Sequence, residues 1–176
     1  MIKIVDATKK DEQYWHDIYL NAFPAYERLP FSKLQQVVKE HEAVRMAMII
    51  DDGQPTGILL LVEIPEEKVF VLYFAVDANI RGKGIGSRTI SVLKEAYGKG
   101  IILESEIIGQ QAENEDQRVK RYEFYQRNAV QDSGFITENM GGTFHLLRTT
   151  DIVSDVEYIQ AISILGIEAK VEKRTK

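Results

Sequence analysis

Apolar residues change their spacing repeatedly along this chain, and each change marks an element. Ile2–Asp6 alternates with a period of two, as a short half-buried strand does. Asp11–Ala22 instead sets Trp15, Ile18, Tyr19 and Ala22 three and four residues apart, which predicts a helix with one apolar face. Pro24 ends that helix. An aromatic, charged loop follows, and Ser32 is expected to cap a second helix reaching Lys39. Val44–Ile50 and Thr56–Ile64 flank Asp-Asp-Gly-Gln-Pro, a hairpin signal. Val69–Val76 is then apolar without interruption and rich in β-branched and aromatic residues, which predicts a central strand buried on both faces.

The second half alternates element types. Gly84–Tyr97 has Ile90, Leu93 and Tyr97 on one helical face and stops at Gly98 and Gly100. Ile101–Ile108 predicts a strand, and Gln117–Asn128 a helix. Phe135–Met140 and Thr143–Thr149 predict a closing hairpin, and Asp155–Leu165 an added C-terminal helix. Lys170–Lys176 is expected to be a loose charged tail. The order predicts one mixed α/β (α+β) domain over residues 1–176, with a mostly antiparallel sheet and at least one strand–helix–strand unit.

Composition narrows the chemistry. The 176 residues carry 27 Asp plus Glu against 22 Lys plus Arg, a net charge of −5 and no basic footprint for nucleic acid. There is no cysteine, which excludes a thiol nucleophile, a thiolate metal site and a disulfide. No apolar run approaches the ~20 residues of a membrane-spanning helix, and the opening residues lack the apolar core of a signal peptide. The expected location is cytoplasmic, with neither membrane nor nucleic acid as partner. No His/Asp/Glu spacing suggests a metal site. His16, His41 and His145 are expected to pack or lie on the surface, and Trp15 to be core.

The most informative segment is Arg81-Gly82-Lys83-Gly84-Ile85-Gly86, between the apolar strand and a helix. Glycines let backbone N–H groups approach a ligand, and the first turn of a helix has four N–H groups with no internal partner. With Arg81, Lys83 and, one turn on, Arg88, the segment suits a pyrophosphate. It is not a Walker loop, because no lysine follows Gly86, nor does it match a GxGxxG dinucleotide fingerprint.

LYFAVDANIRGKGIGSRTI resembles the acetyl-CoA motif of the GNAT superfamily of N-acetyltransferases, with Arg81, Gly84 and Gly86 at its defining positions. RYEFYQRNAVQDSGF is similar to the family's FYxxxGF segment, with Tyr125 at its tyrosine, and the element order agrees over roughly residues 1–150. The resemblance implies a six- to seven-stranded sheet flanked by helices. It also implies acetyl-CoA as co-substrate, no metal, and direct transfer of the acetyl group to a primary amine of a small molecule or protein. Ala75 and Val76 would pair with the pantetheine arm, and Gly82, Lys83, Gly84, Ile85, Gly86 and Ser87 would hold the pyrophosphate. Tyr125 would be the general acid, since a phenol can protonate a leaving thiolate. Family members often carry Asn and Ala where Arg118 and Arg121 stand here, so these arginines are candidates to meet coenzyme A phosphates.

The strand ILESEI sets Glu104 and Glu106 on one sheet face, where carboxylates are costly to bury unless they line a cleft. A solvated strand face would explain them as well. Glu104 is the candidate base and Glu106 an amine-binding residue. Since this fold places the first interhelical turn beside the acceptor, Glu27, Tyr26 and Phe31 are candidates for that wall, and the carboxylates favour a cationic acceptor. Three other possibilities stay open: a non-catalytic acetyl-CoA sensor, transfer of another acyl group, and a homodimer.

Overall fold

The computed structural model describes residues 1–80 and 82–174. Among them, eight strands form one sheet: β1 (Ile2–Asp6), β2 (Val44–Asp51), β3 (Gln54–Ile64), β4 (Lys68–Val76), β5 (Gly100–Glu106), β6 (Gln131–Asn139), β7 (Gly142–Arg148) and β8 (Lys170–Lys173). Their spatial order is β1-β2-β3-β4-β5-β7-β6-β8. Every neighbouring pair is antiparallel except β4 and β5, whose parallel pairing needs a crossover, supplied by helix α3 (Ile85–Ala96).

Helices cover both faces. On one side, α1 (Glu12–Ala22), α2 (Phe31–Glu40) and α5 (Asp155–Ile164) bury Trp15, Tyr19, Leu34, Tyr158 and Ile162. On the other, α3 and α4 (Glu115–Arg127) bury Ile85, Ile90, Leu93 and Tyr125. Trp15 also donates from Nε1 to the Ala47 carbonyl at 3.1 Å, so its one polar atom is satisfied inside the core. Among the described residues, no helix is long and apolar enough to cross a membrane.

Three expectations need correction. Ser32 does not cap α2: Pro30 occupies the cap position, and its fixed φ of −54° lets the helix begin at Phe31. The charged tail is not loose through Lys173, because Lys170–Lys173 pairs with β6, matching Val171 to Thr137 and Lys173 to Phe135. An edge strand needs backbone pairing more than an apolar pattern, so charge concealed it, and the sheet has eight strands. Finally, β4 is closed in only along its first half. Lys68–Val71 is buried, whereas Leu72 and Phe74–Val76 are partly open. The reason lies in β5, which leaves it.

Candidate active site

β4 and β5 pair only from Lys68–Val71 to Gly100–Leu103. Opposite β3 the register shifts, with Leu60 facing Tyr73 and Leu61 facing Val71, so Leu72 is the extra residue of a bulge. A bulge bends its strand, and from this point β4 diverges from β5. The β5-facing backbone edge of β4 thus has no strand partner beyond Val71. The gap is a cavity of about 190 Å³ whose lining includes Glu27, Tyr73, Ala75, Val76, Glu104, Glu106, Arg121 and Tyr125.

A second, open groove of about 810 Å³ runs from Phe74 and Val76 over Gly82, Gly84, Ile85, Gly86 and Ser87 to Gln117, Lys120 and Phe124 of α4. Gly84 sits in the left-handed region at φ 69° and caps α3, with no side chain among the described residues bonded to the first-turn N–H groups. A Cβ there would extend into open space rather than into protein. Side chains avoid that backbone conformation, which is why glycine is needed at this position. Gly86 serves differently: a Cβ there would come 3.0 Å from the Phe124 ring, so its absence lets α4 close against α3. Ile85 is buried and anchors the loop. Uncapped amides, the positive end of α3 and Lys120 match the chemistry of a pyrophosphate.

The expected cations are distributed differently. Arg81 lies outside the described residues. Lys83 is exposed and does not line the groove. Arg88 forms a two-pronged pair with Asp51 at 3.1 and 2.9 Å and donates to the Lys83 carbonyl, so it braces the loop rather than reaching into the groove. Arg118 is committed to Glu106 at 3.2 Å and to Asn114 at 2.8 Å and does not line the groove. Lys120 was missed by the sequence reading, although it lies one turn before Phe124 on α4.

Tyr125 belongs to both cavities. It is 7% exposed, and burial pushes its phenol up to about 12, with Arg121 acting in the opposite direction. The O–H therefore stays protonated at any physiological pH. It is core in its packing, edge-on to Phe124 at 5.3 Å, and it also borders the gap.

Three carboxylates line the same cavity. Glu104 Oε2 accepts from Asn139 Nδ2 at 2.8 Å and from the Tyr158 hydroxyl. Both bonds favour the charged form, yet burial outweighs them and pushes the carboxyl up to about 7. Glu27 is also pushed up to about 7, first by burial and then by the charge of Glu106, and its Oε1 has no hydrogen-bond partner among the described residues. Its turn is pinned by Tyr73, whose hydroxyl donates to the Glu27 carbonyl at 2.7 Å and accepts from the Leu29 N–H at 3.2 Å. Glu106 differs, because ion pairs to Arg118 and Arg121 already compensate its charge. It is not free to hold a cationic amine as expected.

Phe31 does not reach the cavity. As the first residue of α2 it faces α1, stacked on His16 at 4.2 Å and 5.9 Å from Trp15. Tyr26 is exposed beside Arg118, on a separate surface pocket that also includes Glu106. His145 is buried outside the cavity, its Nε2 accepting from the Ile108 N–H at 3.3 Å. The sequence reading also missed Tyr73, Asn139 and Tyr158. Arg121, a candidate to meet coenzyme A phosphates, lines both the groove and the cavity and pairs with Glu106.

Residues 12–129 match the model of the acetyltransferase (GNAT) family. No curated protein sequence matches the chain. Among solved structures, a GNAT-family protein of Bacteroides thetaiotaomicron superposes with a TM-score of 0.69 at 22% identity, over 93% of this chain and 94% of that one. The aminoglycoside acetyltransferase AAC(6')-Ib, solved with coenzyme A and kanamycin, gives 0.63 at 14% identity over 86% and 95%. Arabidopsis thaliana Naa50, in complex with the bisubstrate analogue CoA-Ac-MVNAL, gives 0.55 at 18% identity over 85% and 98%. At such identities the likeness to solved structures is one of fold, and it is the match over residues 12–129 that places the chain in the GNAT family of acetyltransferases, as an acyltransferase.

Proposed function

We propose that this protein moves the acetyl group of acetyl-CoA directly to a primary amine of a small molecule or protein, with both substrates bound at once. The supporting observation is Tyr125, which borders both the glycine-loop groove and the cavity lined by the carboxylates. Acetyl-CoA, when bound, supplies an acetyl group already activated as a thioester, so no protein nucleophile is needed.

The chain's own groups divide the remaining work. First-turn amides of α3 and Lys120 hold the pyrophosphate. The unpaired edge of β4 at Ala75 and Val76 offers backbone partners to the pantetheine arm, and a free N–H on that edge can stabilise charge developing on the carbonyl oxygen. The Tyr125 O–H donates a proton to the departing sulfur. Glu104 accepts the amine proton, directly or through water, because its second oxygen has no protein hydrogen bond among the described residues and its proton affinity suits neutral pH. Glu27 faces the acceptor. Residues 1–176 act as one domain, since Tyr158 of α5 bonds to Glu104.

Thiol release from acetyl-CoA, followed with a panel of polyamines and aminoglycosides, tests this reading. Release should require an amine, rise with pH through about 7 as Glu104 ionises, and be lost in Glu104→Gln. Tight acetyl-CoA binding with no turnover on any amine would instead indicate a binding module.

A further inference from the structure

The carboxylate assigned as base is not held by the segment that matches the family. Its two donors are Asn139, the last residue of β6, and Tyr158 on α5, both beyond residue 129. Tyr158 is fully buried, edge-on to Phe70 at 5.1 Å, and its hydroxyl is itself tied to Thr137 Oγ1 at 2.9 Å and lies 3.3 Å from Asn139 Nδ2. Asn139 and Thr137 therefore reach Glu104 and Tyr158 from one strand, while the helix supplies the third side. α5 is fixed in turn. Ser154 caps it in a reciprocal box with Glu157, and Glu157 pairs with Lys68 of β4 at 2.6 Å. β8 lies along β6 at Thr137.

We propose that Tyr158 and Asn139 are positioning residues that fix the Glu104 carboxylate at the cavity wall and thereby make the C-terminal α5–β8 segment part of the catalytic apparatus. The assignment rests on Glu104 being the base. Both donors commit to Oε2, so the carboxylate is held in one orientation with Oε1 left for the acceptor. Each donor also stabilises the ionised form against the burial that opposes it. The other charged or titratable groups around the cavity are Glu27 on the interhelical turn, Tyr73 on β4, Glu106 on the same strand, and Arg121 and Tyr125 on α4. None of these bonds to Glu104.

Carboxyl 13C NMR of the full chain labelled at glutamate Cδ tests this without an acceptor, the Glu104 signal being the one lost in Glu104→Gln. Tyr158→Phe keeps the ring against Phe70 and removes only the hydroxyl; Asn139→Ala removes the other donor from a different element. Each should move the Glu104 titration upward by about one pH unit, because a bond to the charged form is lost. A midpoint unchanged in both variants would overturn the proposal. Should one variant fail to fold, the other decides. Thiol release by Glu104→Gln addresses the underlying assignment separately: full activity there would remove Glu104 as base and leave the titration result standing.

Discussion

At the scale of single residues, the proposed mechanism rests on mismatched proton affinities. Tyr125 keeps its proton to about pH 12, whereas Glu104 and Glu27 sit near 7, so a donor and an acceptor of protons coexist at neutral pH. Tyr125→Phe should lower kcat about 100-fold while leaving acetyl-CoA affinity unchanged, as read from turnover beside direct binding. Equal turnover would reduce Tyr125 to packing. The raised carboxyls also act on stability. A folded-state pKa above the ordinary 4.5 means that the native chain binds more protons than the unfolded one between about 4.5 and 7. These groups stabilise the fold below that window and lose the contribution as pH rises through 7. Urea unfolding should therefore show a pH slope across the window that is shallower in Glu104→Gln. Glu104 was legible from the period of two along ILESEI, because that spacing alone sets it facing a cleft or solvent. Tyr158 was not, since its meeting with Glu104 depends on β7 and β6 being inserted beside β5, which no local pattern encodes.

At the scale of elements, the decisive feature is a pair of strands that separate. The apolar run Val69–Val76 foretold a central strand, and the structure bears this out, but separation depends on the bulge at Leu72 and on β5 turning to β7. Apolar periodicity cannot report a bulge. The glycine loop, by contrast, was readable, because a left-handed backbone at a helix start demands glycine whatever the tertiary context. Gly84→Val tests the loop: a β-branched residue at φ 69° should cost about 1–2 kcal/mol of stability. Its side chain would also enter the groove and weaken acetyl-CoA binding about tenfold by calorimetry. Unchanged affinity would mean that the loop does not carry the ligand. Of the two candidates from the turn between α1 and α2, Glu27 lines the cavity and Phe31 packs on α1, since two residues of one loop can face opposite neighbours and spacing does not say which.

At the scale of the whole molecule, the surplus of five acidic charges does not translate into a strongly anionic cavity. Arg118 and Arg121 compensate Glu106, so the acidic character there reduces to Glu27 and Glu104, both with raised proton affinity. Fold class followed from element order, and the family from that order together with two short motifs. The eighth strand and the reach of α5 into the site emerged only from the assembled sheet. The central claim is that one groove and one cavity, meeting at Tyr125, bind acetyl-CoA for transfer. Isothermal titration of the full chain with acetyl-CoA tests it most directly. The account predicts saturable binding to one site per chain, weakened by Gly84→Val and unaffected by Tyr125→Phe; no binding at about 1 mM ligand would contradict it.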